Sequence, residues 1–159
     1  MLILGIDPGS HITGYGVIDK KGNYLRHIIH GEVKQRKDSL LSTVLSSIYQ
    51  RLSEVIVEYS PQAIALENIF YGKNVRSLIK QAHVRGVIIF AGADKGIPVF
   101  EYSPLEVKKA VVGYGRAEKR QVQIMVKAIL KLPVLPPADA ADALAVAICH
   151  ANFLKEQSV

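Results

Sequence analysis

The chain has 159 residues, of which 49% are hydrophobic and 21% charged, a balance that builds a core and excludes a disordered chain. The net charge is +6, the single cysteine rules out an intramolecular disulfide, and no apolar run approaches the ~20 residues of a membrane helix. The N-terminus lacks the basic start of a signal peptide, so the expectation is one soluble cytoplasmic domain, 1–159, with no membrane partner.

Residues 2–6 form a short apolar run closed by the breaker pair Pro8-Gly9, which predicts a buried strand. Two more strands are expected at 13–19 and 24–33, with a hairpin turn at Lys20-Lys21-Gly22-Asn23. Across 40–59 the period changes. Leu41, Val44, Leu45, Ile48, Leu52, Val55 and Ile56 recur every three or four residues, the stripe of a helix lying on a sheet, and Ser60-Pro61 stops it. Residues 62–67 return to strand alternation, with Ile64 and Leu66 on one face and Ala63, Ala65 and Glu67 on the other. A helix over about 74–95, a strand near 98–102 and a short helix capped by Ser103-Pro104 follow. Helices near 117–132 and 137–153 complete a mixed sheet with helices on its faces.

Asp7 stands where an apolar strand runs out into a turn, and Glu67 ends a second core strand in the same way. Rigid strand ends hold such groups better than loops do. Gly5, Ala63 and Ala65 share side-chain parity with these acids, which predicts room for something large beside them. Asp139 and Asp142 are three apart on one helix face, in or near its first turn, where N-capping and dipole matching are the ordinary explanation. Converging, the four carboxylates would repel one another unless cations sat between them. Oxygen-only ligation suits Mg²⁺ or Mn²⁺ rather than zinc. Two such ions activate a water on one side of a phosphate and stabilise the leaving oxygen on the other.

The positive charge is uneven. Lys73, Arg76, Lys80, Arg85 and Lys95 face one acid between Tyr71 and Lys95, and seven basic residues face two acids between Leu105 and Lys131. Such clusters are the footprint of a polyanion binder, or else a merely solvated basic surface. Arg76, Lys80 and His83 recur at helical spacing, a polar stripe suited to a phosphate backbone and equally to a solvated helix face. Phe70, directly after the strand that carries Glu67, is placed either to stack on unpaired bases or to tuck onto the core. Cys149 and His150 read as packing residues.

Gly5-Ile6-Asp7-Pro8-Gly9 followed by Thr13-Gly14-Tyr15-Gly16-Val17-Ile18 resembles the opening of the RuvC Holliday-junction resolvases. The resemblance continues in order through Leu66-Glu67-Asn68-Ile69-Phe70, Lys73-Asn74, 82–86, and Ser103-Pro104 to Val107-Lys108. It ends with Val112-Gly113-Tyr114-Gly115 to Ala117-Glu118-Lys119 and Asp139-Ala140-Ala141-Asp142-Ala143-Leu144-Ala145. It implies an α/β ribonuclease-H-like fold, a five-stranded mixed sheet flanked by helices on both faces. It also implies an endonuclease that resolves four-way junction DNA by paired symmetric nicks, leaving 5′-phosphate and 3′-hydroxyl ends. By the same resemblance Asp7, Glu67, Asp139 and Asp142 are the catalytic metal ligands for two Mg²⁺, with Mn²⁺ as a substitute. Lys108 and Lys119 fall on lysines linked to DNA binding or catalysis, and Phe70 on an aromatic near the junction centre; Lys73, Arg76 and Lys80 join them as expected DNA contacts. A homodimer, with the helix carrying Gly86 near its interface, and a RuvA–RuvB branch-migration motor are the implied partners.

Three other readings compete. Gly5-Ile6-Asp7-Pro8-Gly9-Ser10 also resembles the first phosphate loop of actin-like and sugar-kinase ATPases, but those need two such domains, which 159 residues do not hold. A non-catalytic junction binder would keep the basic segments and drop the acids. Another ribonuclease-H-like nuclease would act on RNA–DNA hybrids or transposon ends.

Overall fold

The structure, a computed structural model, describes residues 1–69 and 74–156, with side chains as far as Leu154. The element order is β1 (Leu2–Asp7), β2 (Ile12–Lys21), β3 (Tyr24–Lys34), α1 (Leu41–Tyr59), β4 (Ala63–Glu67), α2 (Val75–Asp94), β5 (Val99–Tyr102), α3 (Pro104–Val112), α4 (Lys119–Ile129) and α5 (Ala138–Glu156). The five strands form one sheet in the order β3-β2-β1-β4-β5. β1, β2 and β3 run antiparallel in sequence, whereas β4 and β5 add parallel to β1 through helical crossovers. The sheet is therefore mixed, as expected.

Local chemistry accounts for the boundaries. Gly22, at φ +57°, takes the first central position of the two-residue loop between β2 and β3, where a type II′ hairpin needs positive φ. α1 ends where Ser60 turns left-handed and Pro61 cannot continue the ladder. Asn74 caps α2 by accepting from the Arg76 and Ser77 amides. Ser103 and Glu106 close a capping box on α3, with Pro104 at the first helical position. The helix expected over 117–132 is shorter than predicted, because Glu118 and Gln121 cap it so that Lys119 is its first residue.

Alternation sorts the strands into two cores. Leu4, Ile6, Val17, Ile64 and Leu66 pack against Ile48, Leu52 and Val55 of α1 and Val84 and Ile88 of α2. Ile3, Ile18 and Ala65 pack on the other face, against α5, with α3 and α4 outside it. Each fully buried Leu or Ile contributes ~1.5–3 kcal/mol relative to an exposed one. Among the described residues, no helix is long and apolar enough to cross a membrane.

α5 lies unusually close to the sheet. A Cβ on Gly5 would collide with the Ala143 carbonyl oxygen and stand 2.8 Å from the Ala147 nitrogen. A Cβ on Gly14 would collide with the Asp139 carbonyl. Glycine at these two positions lets helix backbone rest directly on strand backbone. The room predicted beside Asp7 and Glu67 thus takes the protein's own helix rather than a ligand.

Candidate metal centre and nucleic-acid interface

β1 and β4 are adjacent parallel strands, with Ile6 beside Leu66, so Asp7 and Glu67 emerge at the same level of the sheet. Gly5 and Ala65 pack toward α5, and strand parity turns both acids to that face as well. α5 enters across the same strand ends, with Asp139 in its first turn and Asp142 in its second. The ligand-capable atoms of Asp7, Asp139 and Asp142 all lie within 4.8 Å of one another. Glu67 joins them through a side-chain hydrogen bond with Asp7.

The electrostatics follow from burial and crowding. Burial, then the neighbouring charges of Glu67 and Asp142, push the Asp7 carboxyl up to about 9. Burial also raises Glu67 and Asp142. For Glu67 the contact with Asp7 works against that rise, and the close pair of buried carboxyls retains a proton between them. Lys119, whose Nζ is 3.3 Å from Asp142 Oδ2, partly offsets the negative charge and is itself held above its usual range, mainly by Asp142. Lys108 on α3 is close enough for its charge to act on both Glu67 and Asp142. A buried all-oxygen set that retains a proton for want of countercharge is chemically suited to a hard divalent cation.

Arg76 and Lys80, exposed on the first turns of α2, line a cavity of about 400 Å³ with Pro8, Ser10, His11 and Asp139. Lysines from α3 and α4 thus act directly on the acidic cluster, while the cations of α2 line a cavity that Asp139 shares. His83 departs from that stripe. It lines instead an apolar groove between α1 and α2, with Leu45, Tyr49 and Phe90. Phe70 and Lys73 lie outside the described residues.

Two positioning contacts escaped the sequence reading. Arg85, counted there as part of a basic surface, is buried; its guanidinium donates to the Glu67 carbonyl at 2.6 Å and pairs with Glu101. Gln81 donates to the Pro8 carbonyl at 3.1 Å. α2 therefore grips the backbone beside both strand-end acids. The available signal was a polar i, i+4 pair, Gln81 and Arg85, running alongside the buried Val84 and Ile88. His150 is buried as expected, and its Nδ1 lies 2.7 Å from the Tyr102 hydroxyl.

A central mixed sheet whose paired strand ends and overlying helix gather carboxylates defines a ribonuclease-H-like protein, a fold shared with the yeast mitochondrial Holliday junction resolvase at a TM-score of 0.69, 13% identity, and coverage of 98% of this chain and 80% of that one. The sequence model described as crossover junction endodeoxyribonuclease RuvC matches residues 3–150. The chain belongs to the RuvC family. It is 54% identical to the crossover junction endodeoxyribonuclease RuvC of Syntrophotalea carbinolica over 152 residues, covering 96% of this chain and 94% of that protein. It is similar in structure to the RuvC of Thermus thermophilus in complex with a Holliday junction substrate, with a TM-score of 0.93, 34% identity, and coverage of 99% of this chain and 97% of that one.

Proposed function

We propose that the protein is a single-domain endonuclease that resolves four-way DNA junctions by paired symmetric nicks, leaving 5′-phosphate and 3′-hydroxyl ends. The observation that carries this reading is the joining of Asp7, Glu67, Asp139 and Asp142 from three elements at the ends of the central strands, with lysines beside them. Family membership supplies the junction as substrate.

In this reading the four acids would hold two Mg²⁺, replaceable by Mn²⁺, with Asp7 ligating as the deprotonated carboxylate. When bound, the ions supply an activated water and stabilise the leaving oxygen of the phosphodiester. The chain's own residues supply positioning. Lys108 and Lys119 meet the phosphate that enters the acidic cluster, while Arg76 and Lys80 hold the strand as it passes Asp139. Lys73 extends that contact, and Phe70 stacks on bases near the junction centre. Arg85 and Gln81 keep the backbone of the two strand ends in register while the charge at the site changes.

A homodimer is part of the proposal. The groove between α1 and α2 has a volume of about 760 Å³ and is lined by Leu45, Tyr49, Ile79, Ala82, Gly86 and Phe90. Among the described residues, and apart from its chain neighbours and its own helix backbone, nothing stands within 4 Å of where a Gly86 Cβ would be, which leaves that face open for a second copy. Two copies would present two equivalent sites to two strands of like polarity. Action in the cytoplasm, alongside a RuvA–RuvB branch-migration motor, completes the family reading.

The test is cleavage of an end-labelled four-way junction beside a linear duplex of matched sequence, with Mg²⁺ and with chelator. Paired, ligatable nicks in the junction alone, dependent on metal, are expected. Tight junction binding without nicks in either Mg²⁺ or Mn²⁺ would make this a junction-binding module and the acids structural.

A further inference from the structure

We propose that His27 and His30, on the edge strand β3, form a second metal site, selective for a borderline transition ion such as Zn²⁺, Ni²⁺ or Cu²⁺ and separate from the carboxylate cluster. In a regular strand, residues three apart point to opposite faces. Here they do not. The β2–β3 register runs from Val17 beside Ile29 to Ile18 beside His27, so Ile28 is an extra residue that bulges β3. The bulge turns His27 and His30 to one face, the one on which Gly16 and Ile18 meet α5. Their facing nitrogens, His27 Nε2 and His30 Nδ1, are 2.8 Å apart, with ring centroids 4.9 Å apart and planes inclined by 56°.

Two imidazoles in contact satisfy each other with one hydrogen bond, yet the same geometry is close to chelation. At metal–nitrogen distances of ~2.0–2.1 Å, neighbouring ligand nitrogens stand about 3.0–3.4 Å apart, so opening the pair by a few tenths of an ångström admits an ion. Both rings are half-buried, and burial holds both below the usual histidine range, leaving them neutral and able to ligate at neutral pH. Glu32 lies two residues beyond His30, with its carboxylate largely buried and paired to Lys34 at 3.2 Å, and its charge acts on His30. That places a negative charge beside an ion held by two nitrogens and solvent water. Nitrogen ligands favour zinc, nickel and copper over magnesium, so excess Mg²⁺ leaves the site to the softer ion. The bulge thus has a chemical consequence, pairing two side chains that a regular ladder would separate.

The experiment is titration of the intact chain with Zn²⁺ in excess Mg²⁺, without DNA, followed by calorimetry and by thermal melting. Copper electron paramagnetic resonance reports whether nitrogens ligate. Wild type is expected to take one zinc per chain and to melt higher with it. His27→Gln and His30→Gln should each weaken that binding by more than the ~10–100-fold that loss of an outer-shell partner costs, and neither should gain melting temperature with zinc. Unchanged melting of the variants without zinc separates ligand loss from misfolding. Absent binding, equal affinity in wild type and both variants, or loss of binding with His11→Gln or His83→Gln instead would overturn the site. Each outcome is read without junction cleavage and so leaves the nuclease reading untouched.

Discussion

The two faces of the sheet are packed by different rules. Toward α1 and α2, Leu4, Ile6, Ile64 and Leu66 meet Ile48, Leu52, Val55, Val84 and Ile88 through long aliphatic side chains. Toward α5, glycines at 5 and 14 bring strand backbone against the backbone at Ala143 and Asp139. Long side chains repack when a neighbour changes, whereas backbone resting on backbone has little room to give. The acids that the nuclease reading needs stand on the unyielding side, so the same close contact that packs α5 also fixes Asp139 and Asp142 against Asp7. The aliphatic side supplies stability and holds the strand ends from behind through Gln81 and Arg85.

Substitutions on each side sharpen that contrast. Asp7→Asn is expected to lower single-turnover junction cutting by ~10³-fold or more, since several kcal/mol of transition-state stabilisation go with the metal. Junction affinity should stay close to wild type. The same variant should be the more stable one without metal, because it removes the cost of protonating a buried carboxyl on folding; a gain of about 1 kcal/mol would raise Tm by ~2–4 °C. Cutting at the wild-type rate would place the chemistry elsewhere.

Leu52→Ala on the aliphatic face should cost ~2–5 kcal/mol in denaturant unfolding and leave the cutting rate per folded molecule unchanged. Gly5→Ala on the α5 face should do the reverse in emphasis. Displacing α5 by about 1 Å is expected to lower the rate per folded molecule ~10²-fold, out of proportion to the stability lost. Equal rates for these two variants, each corrected for folded fraction, would erase the distinction between the faces.

pH separates them more gently. In the metal-free chain the folded state holds a proton on Asp7 that the unfolded state releases. The stability linked to it is fully present below the ordinary value of 3.8 and is lost as pH rises toward about 9. Melting followed from pH 5 to 9 should therefore show a falling Tm in wild type and a flatter profile in Asp7→Asn. Added Mg²⁺ should release protons and reverse the fall. The smallest expected effect is that of Lys108→Ala, which should reduce the slope of log affinity against log salt by about one phosphate contact. An unchanged slope would remove Lys108 from the phosphate contacts.

Much of this molecule was legible before it was folded. Alternation in 62–67 put Ile64 and Leu66 on one face and Ala63, Ala65 and Glu67 on the other, and Ile64 and Leu66 do pack in one core and Ala65 in the other. Asp7 and Glu67 stood out because a charge that closes an apolar strand has few places to go but the strand's exposed end. Periodicity and breakers are local, and local signals survive in one dimension. Misreadings arose where the deciding partner was distant in sequence. Arg85 counted as surface charge because it falls in a segment rich in lysine and arginine, yet its guanidinium is buried against Glu67, 18 residues away. Gly5 and Ala65 read as empty space because the helix that fills it begins at Ala138.

By itself, then, the sequence determined most strands and helices and the faces of their regular stretches, since those follow from spacing of two and 3.6 residues, and it picked out the four acids by chemistry and by resemblance to a family. The tertiary structure alone decided that Asp7 on β1 and Asp139 and Asp142 on α5 meet within 4.8 Å, that burial beside Glu67 pushes the Asp7 carboxyl up, and that His27 and His30 share a face. Proximity, burial and a one-residue bulge belong to the packed chain, where helix backbone settles on strand backbone and water is excluded.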